Sequence, residues 1–250
     1  MNDVIDPEPA GGAVFVMAER CLAGQGIWHT GARARLVGAR DCVLTVRTEA
    51  GMWVAPPKCA VWVPAGVLHR VSCAKDAALR TLHVEGDAAP VPEHCCVVSV
   101  DPLTDALLTA ASVFGADYPP EGPQARIVSV ILDQLPLLAP VPLALNWPKD
   151  LRAQHIADAL LANPARPDVL DDLAEDASVT ARTAARLFSK ETGQTFGQWR
   201  QQLRLLCALA RLGYGASVTQ VALEVGYNDV SSFIAVFRQA LGETPARYFR

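Results

Sequence analysis

Three cations stand at helical spacing in this 250-residue chain: Arg182, Arg186 and Lys190, at i, i+4 and i+8. Side chains so spaced share one face of a helix. Together they make a stripe able to neutralise phosphates, and each guanidinium can also reach a guanine edge. A second set of residues has different chemistry. His29, His69 and His83 are the plausible imidazole ligands, yet position 31, where a second histidine would stand, is Gly31, and no Glu or Gln follows at the spacing a metal-binding motif needs. Zinc and iron want three or four ligands, so no metal, no cofactor and no catalytic residue is expected, and the chain is not read as an enzyme. Seven cysteines (Cys21, Cys42, Cys59, Cys73, Cys95, Cys96 and Cys207) form no CxxC pair and are odd in number. In a reducing compartment they read as small buried hydrophobes, with adjacent Cys95 and Cys96 the one feature favouring a thiol sensor.

The basic stripe belongs to a pattern written twice. Phe188 to Phe237, Gly193 to Gly242, Thr195 to Thr244 and Trp199 to Tyr248 are each 49 apart. Two copies are too few for a solenoid, which needs about three. Each copy reads instead as a helix, a tight turn and a second helix. In the first, Leu170, Leu173, Ala174 and Ala177 share a buried face, Ser178-Val179-Thr180 turn, and Thr180 caps a helix from Ala181 to Thr192. That helix buries Ala184, Leu187 and Phe188, and Gly193 closes it. In the second, Val218, Val221, Ala222 and Val225 face inward, Gly226 to Asp229 turn, and the second helix runs from Val230 to Leu241. Between them, residues 196–212 read as one helix holding the units apart.

The stretch Val225-Gly226-Tyr227-Asn228-Asp229-Val230-Ser231-Ser232-Phe233, continuing through Phe237-Arg238 to Gly242-Glu243-Thr244-Pro245-Ala246-Arg247-Tyr248, closely resembles the signature of the AraC/XylS transcription regulators. Leu187-Phe188-Ser189-Lys190-Glu191-Thr192-Gly193 matches the first unit of that family equally well. The resemblance covers about the last hundred residues. It implies a seven-helix domain whose two recognition helices enter successive major grooves of promoter or operator DNA. By position, the implied DNA-facing residues are Arg182, Ala185, Arg186 and Lys190 in the first unit, with Val230, Ser231, Ser232, Ala235 and Arg238 in the second. Ala185 and Ala235 stand where relatives are often polar.

Net charge is −4 and suits a DNA binder only when divided. Residues 1–150 hold five more acids than bases, whereas 151–250 hold one more base than acid. From Ser178 to Arg204 there are five cations and one anion. No apolar run of about 18 residues suggests a membrane span. The acidic start Met1-Asn2-Asp3-Val4-Ile5-Asp6-Pro7 lacks a signal peptide's basic and apolar regions, so a cytoplasmic protein is expected.

Residues 13–88 hold seven short apolar runs, around 13–16, 34–37, 43–47, 51–54, 60–63, 69–71 and 79–84, which predict a sandwich or barrel. Pro64-Ala65-Gly66-Val67-Leu68-His69, after the strand carrying Trp62, resembles the second motif of the cupin jelly roll. The fold class is therefore α+β: a cupin-like β-barrel with helices, then an all-α domain with two helix-turn-helix units. Residues 1–100 are expected as a sensor domain, 101–149 as dimerising helices and linker, and 150–250 as the DNA-binding domain. Trp28, His29, Trp53, Trp62 and His69 are the expected lining of a pocket for an unidentified small effector. Ile127, Val130, Ile131, Gln134 and Leu138 form one stripe, either core or dimer seam, and the way relatives dimerise favours a homodimer. The partners implied are double-stranded DNA, the effector, a second copy and, for an activator, RNA polymerase. A cupin-type metal enzyme with an appended DNA-binding domain is the alternative, and the incomplete ligand set speaks against it. A helical interaction module is a third, opposed by the duplicated Gly-x-Thr stops and the basic first recognition helix.

Overall fold

The computed structural model describes residues 4–5, 12–86, 88 and 90–249. Most of the acidic start of the chain lies outside them. Strands β1 (Val4–Ile5), β2 (Val14–Cys21), β3 (Gly24–Gln25), β4 (His29–Thr30), β5 (Ala34–Ala39), β6 (Leu44–Thr48) and β7 (Gly51–Ala55) come first. They are followed by β8 (Cys59–Val63), β9 (His69–Cys73), β10 (Ala77–Val84) and β11 (Cys96–Ser99). Helices α1 (Pro102–Phe114) and α2 (Pro123–Gln134) then precede two short strands, β12 (Pro140–Val141) and β13 (Ala144–Asn146). The rest is helical: α3 (Leu151–Ala162), α4 (Leu170–Asp176), α5 (Ala181–Thr192), α6 (Phe196–Gly213), α7 (Val218–Glu224), α8 (Val230–Leu241) and α9 (Pro245–Tyr248). Sheets and helices are segregated, as the α+β class requires. Among the described residues no helix is long and apolar enough to cross a membrane. The chain divides into two compact units, Met1–Glu49 with Trp53–Ala144, and Ala50–Met52 with Leu145–Arg250.

The first unit holds two sheets. In one, the order is β12-β11-β8-β5-β10-β2; the other runs β1-β4-β9-β6-β7, with β3 also on β9. Both are open, each with two edges, where the sequence predicts closure as one of two outcomes. β10 carries the longest pairing, from Ala77 opposite Cys21 to Val84 opposite Val14. Alternate residues of its sheet point to opposite faces. One face (Val14, Val16, Leu36, Trp62 and Leu82) meets Leu108 and Ala111 of α1 and Val128 and Ile131 of α2 in one apolar cluster.

That cluster takes up much of the α2 stripe. Ile131 is fully buried in it, and Ile127 and Leu138 pack against it in part. Val130 alone of the stripe's apolar residues is exposed. The stripe is thus mainly a core face of its own chain, because the sheet beneath offers an apolar surface that the sequence does not reveal.

In the second unit the two copies fold as read, with α5 over Ala181–Thr192 and α8 over Val230–Leu241. α9 and the extent of α3 are additions. α6 begins with a reciprocal cap in which Thr195 Oγ1 accepts from Gln198 N–H and Gln198 Oε1 accepts from Thr195 N–H. Asp150 caps α3, accepting from Arg152 N–H at 3.0 Å and from the Arg152 guanidinium at 2.8 and 2.9 Å. The guanidinium and the backbone bond hold the Asp150 carboxyl down at about 2. Asp229 at the start of α8 is also held below the usual range, by the Ser232 hydroxyl and then the Ser232 backbone N–H.

A depressed native pKa means that the stabilisation is complete above the unfolded value of about 4 and is lost as pH falls through the lower native value. The melting temperature of the helical unit should therefore fall as pH drops from about 4 toward 2. In Asp150→Asn that decline should be shallower, as read by circular dichroism at 222 nm.

Candidate nucleic-acid interface

Both helix-turn-helix units use the same turn geometry, reached with different residues. Ala177 is the C-cap of α4, and Ser178 follows at φ 56°. Ser178 N–H donates to Glu175 O and Val179 N–H to Ala174 O, each at 2.9 Å. Val225 is the C-cap of α7, and Gly226 follows at φ 89°. Its N–H donates to Leu223 O at 3.0 Å, and Tyr227 N–H donates to Ala222 O at 2.9 Å. This is the Schellman arrangement twice, with the left-handed residue just past the helix. The N-caps differ: Thr180 comes two residues after Ser178, Asp229 three after Gly226. The second turn therefore has one more residue, and the repeat of 49 holds only beyond it. Leu173 matches Val221 and Ala174 matches Ala222 at 48.

Gly226 carries a second constraint. A Cβ there would lie 2.7 Å from Arg204 Nη2 and 2.9 Å from the Ala165 backbone. Arg204 is held at that point because its Nε donates to Pro164 O at 3.1 Å. Arg200 is used alike, donating to Asp168 O at 2.6 Å and to Arg166 O. Two of the five cations between Ser178 and Arg204 are thus committed to carbonyls of the 164–168 loop. Sequence spacing does not reveal this, because both lie on a face of α6 that looks amphipathic.

The remaining cations are displayed. Arg182, Arg186 and Lys190 are exposed along α5, while Ala184, Leu187 and Phe188 are buried on its other side. Among the described residues no hydrogen bond or ion pair engages the side chain of any of the three, nor that of Arg238 on α8. Ala185 is half-buried between them. On α8, Ser231, Ser232, Ala235 and Arg238 are exposed and Val230 is half-buried, opposite the buried Phe233 and Phe237. The structure thus gathers each unit's expected residues on one helix face. Ser232 has prior work: its hydroxyl donates to Asp229 Oδ2 at 2.6 Å, and its N–H to Asp229 Oδ1 at 2.8 Å. The Asp-x-x-Ser spacing was the available signal for that cap.

The expected pocket residues are only partly together. His29 and His69 are cross-strand partners with ring centroids 4.2 Å apart. Each points Nδ1 at a carbonyl two residues back, Ile27 O at 3.2 Å and Val67 O at 2.8 Å. Trp28 lies under the guanidinium of Arg70, which alternates with His69 along β9. Trp53 donates its indole N–H to Cys95 O, and Trp62 is buried in the cluster beneath α1 and α2. His83 is elsewhere, stacked on Phe15 with Nε2 3.7 Å from Glu19. Among the described residues no three His, Cys, Asp or Glu side chains are gathered as metal ligands. The cysteines need a correction. Cys42 and Cys59 are buried as expected, but Cys21 and Cys73 form a disulfide. Their 52-residue separation hides the fact that β2 and β9 end beside each other.

A family model described as a helix-turn-helix domain matches residues 173–250. The HTH-type transcriptional regulator NimR of Escherichia coli K12 is 32% identical over 220 residues, covering 88% of this chain and 81% of NimR. RipA of Corynebacterium glutamicum, also an HTH-type transcriptional regulator, is 37% identical over 101 residues, 40% of this chain and 30% of RipA. Among solved structures, the DNA-binding domain of the global transcriptional factor AdpA in complex with a target DNA is 28% identical, covering 39% of this chain and 89% of that one, with a TM-score of 0.37.

The two left-handed turn positions should respond oppositely to substitution. A non-glycine residue in that conformation costs roughly 1–2 kcal/mol, partly offset by the greater chain entropy of glycine. Ser178→Gly should stabilise the helical unit by about 0.5–1 kcal/mol. Gly226→Ser, which adds overlap with Ala165, should destabilise it by about 2 kcal/mol or more. Denaturant titrations followed at 222 nm measure both.

Proposed function

We infer the working of this chain from one premise: it belongs to the AraC/XylS family of helix-turn-helix transcription regulators, and it binds DNA. Residues 150–250 are the DNA-binding domain, with α5 and α8 as recognition helices. Arg182 and Arg186 read guanine edges or grip phosphate, and Lys190 neutralises phosphate. Val230 and Ala235 offer only apolar contact, for instance to a thymine methyl. The second helix therefore acts mostly through Ser231 and Arg238, with Ser232 limited to its remaining lone pairs. The observation that carries this assignment is the set of four exposed cations on α5 and α8 whose side chains have no partner among the described residues. A protein working on promoter DNA works in the cytoplasm, and as an activator it would also meet RNA polymerase.

Residues 1–100 act as a cupin-like sensor for a small effector, and 101–149 as dimerising helices and linker. Two features support the sensor reading: the Pro64-to-His69 motif and an unusual interior. Arg35, Thr48, His69, Thr81 and His83 are all buried in the two-sheet unit. Each is engaged by a neighbour, as buried polar side chains are, and together they give the interior polar surface of the kind that orients a small ligand. His29 and His69 are the residues proposed to touch the effector, and Trp28 and Trp53 to flank it; Trp62 serves the core. A thermal-shift screen of small metabolites tests this. The sensor assignment fails if every stabilising compound stabilises His69→Ala equally.

Two outcomes are expected for the assembled protein. DNA affinity should fall with rising salt with a slope equivalent to roughly four phosphates per protomer, since α5 and α8 together display four cations. On a panel of single-base operator variants, Arg186→Ala should relax preference at one position, by roughly 1–3 kcal/mol. Arg238→Ala should instead weaken all variants about equally. The reverse pattern would mean that the division of labour between the helices is backwards.

Dimerisation uses the apolar surface that α1 and α2 leave exposed: Leu103, Val113 and Val130. Sedimentation of the full chain at micromolar concentration should give a dimer, and Val113→Glu a monomer. A wild-type monomer overturns this.

A further inference from the structure

The Cys21–Cys73 bond closes a connection between sheets. Cys21 is the last residue of β2, an edge strand of one sheet, and Cys73 is the last of β9 in the other. The segment leaving Cys21 lies along β9. Gly24 pairs with Cys73 and Gln25 with Ser72, and Ala23 N–H donates to Asp76 Oδ1 at 2.8 Å. Gly26 passes so close to β9 that a Cβ would overlap Val71 O. Three residues later the segment becomes β4, where His29 meets His69. Leu22 and Ile27 on the way are 65% and 69% exposed. Residues 22–28 therefore form a strap, tied at one end by the disulfide and at the other by the histidine pair.

Disulfides are rare where thiols are kept reduced, and those that occur there are usually transient and serve catalysis or sensing. DNA-bound regulators work in that compartment. We propose that Cys21–Cys73 is a reversible thiol–disulfide site, made and broken in the cell, which fastens or frees the 22–28 strap and so controls access to His29 and His69. The two sulfurs differ as such a site requires. Cys21 is half-exposed, whereas Cys73 is 1% exposed. A reductant can reach only the Cys21 side. The other cysteines of the two-sheet unit are poorly placed to compete. Cys42 is buried with its thiol against Val43 O and Lys75 O. Burial pushes the Cys95 thiol up to about 12 and Cys59 to about 11, and raises Cys96 as well. Thiols so raised give little thiolate, the reactive form.

The exchange balances with a dithiol as reductant. Its thiolate attacks Cys21 Sγ, a new S–S bond forms there, and the Cys21–Cys73 bond breaks with its electron pair leaving on Cys73 Sγ, which takes a proton. The second thiol of the reductant, as thiolate, then attacks the mixed disulfide and expels Cys21, which is protonated in turn. The protein gains two electrons and two protons, and the dithiol becomes a disulfide. Oxidation is the reverse, with a disulfide of the same class as oxidant.

The proposal draws on the DNA-binding reading only for the compartment. Its test uses the full chain in oxidised or reduced dithiothreitol without denaturant, quenched in acid, alkylated with iodoacetamide and analysed by peptide mass. A linked Cys21–Cys73 peptide should form in the oxidised sample and vanish in the reduced one. Chymotryptic cleavage after Leu22 or Trp28 should be roughly tenfold faster when reduced, as expected for a freed local segment. Cys73→Ser should cleave at the fast rate in both buffers. If that variant fails to fold, the wild-type comparison still decides. Absence of the linked peptide, its survival in excess dithiothreitol, or equal cleavage in both states would each overturn the proposal. DNA binding measured on the same samples separates the two claims: its loss in both redox states counts against the DNA-binding reading and leaves the switch standing.

Discussion

An edge-on contact between two aromatic rings, made twice, underlies the helical unit. Phe188 of α5 meets Trp199 of α6 with centroids 5.0 Å apart, and Phe237 of α8 meets Tyr248 of α9 at 5.7 Å. Both phenylalanines are fully buried. Each pair joins the second helix of a helix-turn-helix unit to the helix after it, across the glycine that ends that second helix. Such contacts add roughly 0.5–1.5 kcal/mol beyond the apolar area they bury. Their larger effect is orientation, because a ring fixed on one side of the helix forces the other side outward. The displayed cations of α5 follow from where Phe188 must go. Trp199 is held in turn by its indole N–H to Asn146 O at 2.8 Å and by the Trp147 ring.

The two units solve one problem with unequal materials. A turn between packed helices needs a left-handed residue, and the first unit uses a serine where the second uses a glycine. Only the second has its turn pressed against another segment, so only there is a side chain excluded on two grounds. The outer faces diverge in the same way. α5 displays three cations, α8 one, and two further arginines that look available in sequence instead fasten the 164–168 loop to α6. With about 1.5 Å of rise per residue, the 18-residue α6 spans about 27 Å, so it is a rigid spacer whose polar face is partly spent on internal bonds.

The two-sheet unit is organised by alternation. The face of the six-stranded sheet carrying Trp62 and Leu82 is apolar and receives α1 and α2. The opposite face of the same strands carries Phe15, Arg35, Thr81 and His83, all buried. A sheet apolar on one side and polar on the other needs partners for each enclosed polar group: Thr81 donates to Glu19 Oε2 at 2.8 Å, and His83 Nε2 lies 3.7 Å from Glu19 Oε1.

The sequence by itself determined the helical unit almost residue by residue. Periodicity, N-caps and glycine stops are local signals, and the 49-residue repeat made each copy a check on the other. The seven principal strands were legible for the same reason, as short apolar runs between turn residues. What only the tertiary structure decided is everything that depends on which faces meet. Trp62 went to the core because its strand alternation places it under the helices, and the α2 stripe went with it. Arg200 and Arg204 turned inward because carbonyls of a loop more than thirty residues earlier lie above them. Cys21 and Cys73 came together because two strand ends meet across different sheets. Spacing along a chain reports neighbours on one element, and these outcomes are contacts between elements, where sequence distance carries no information.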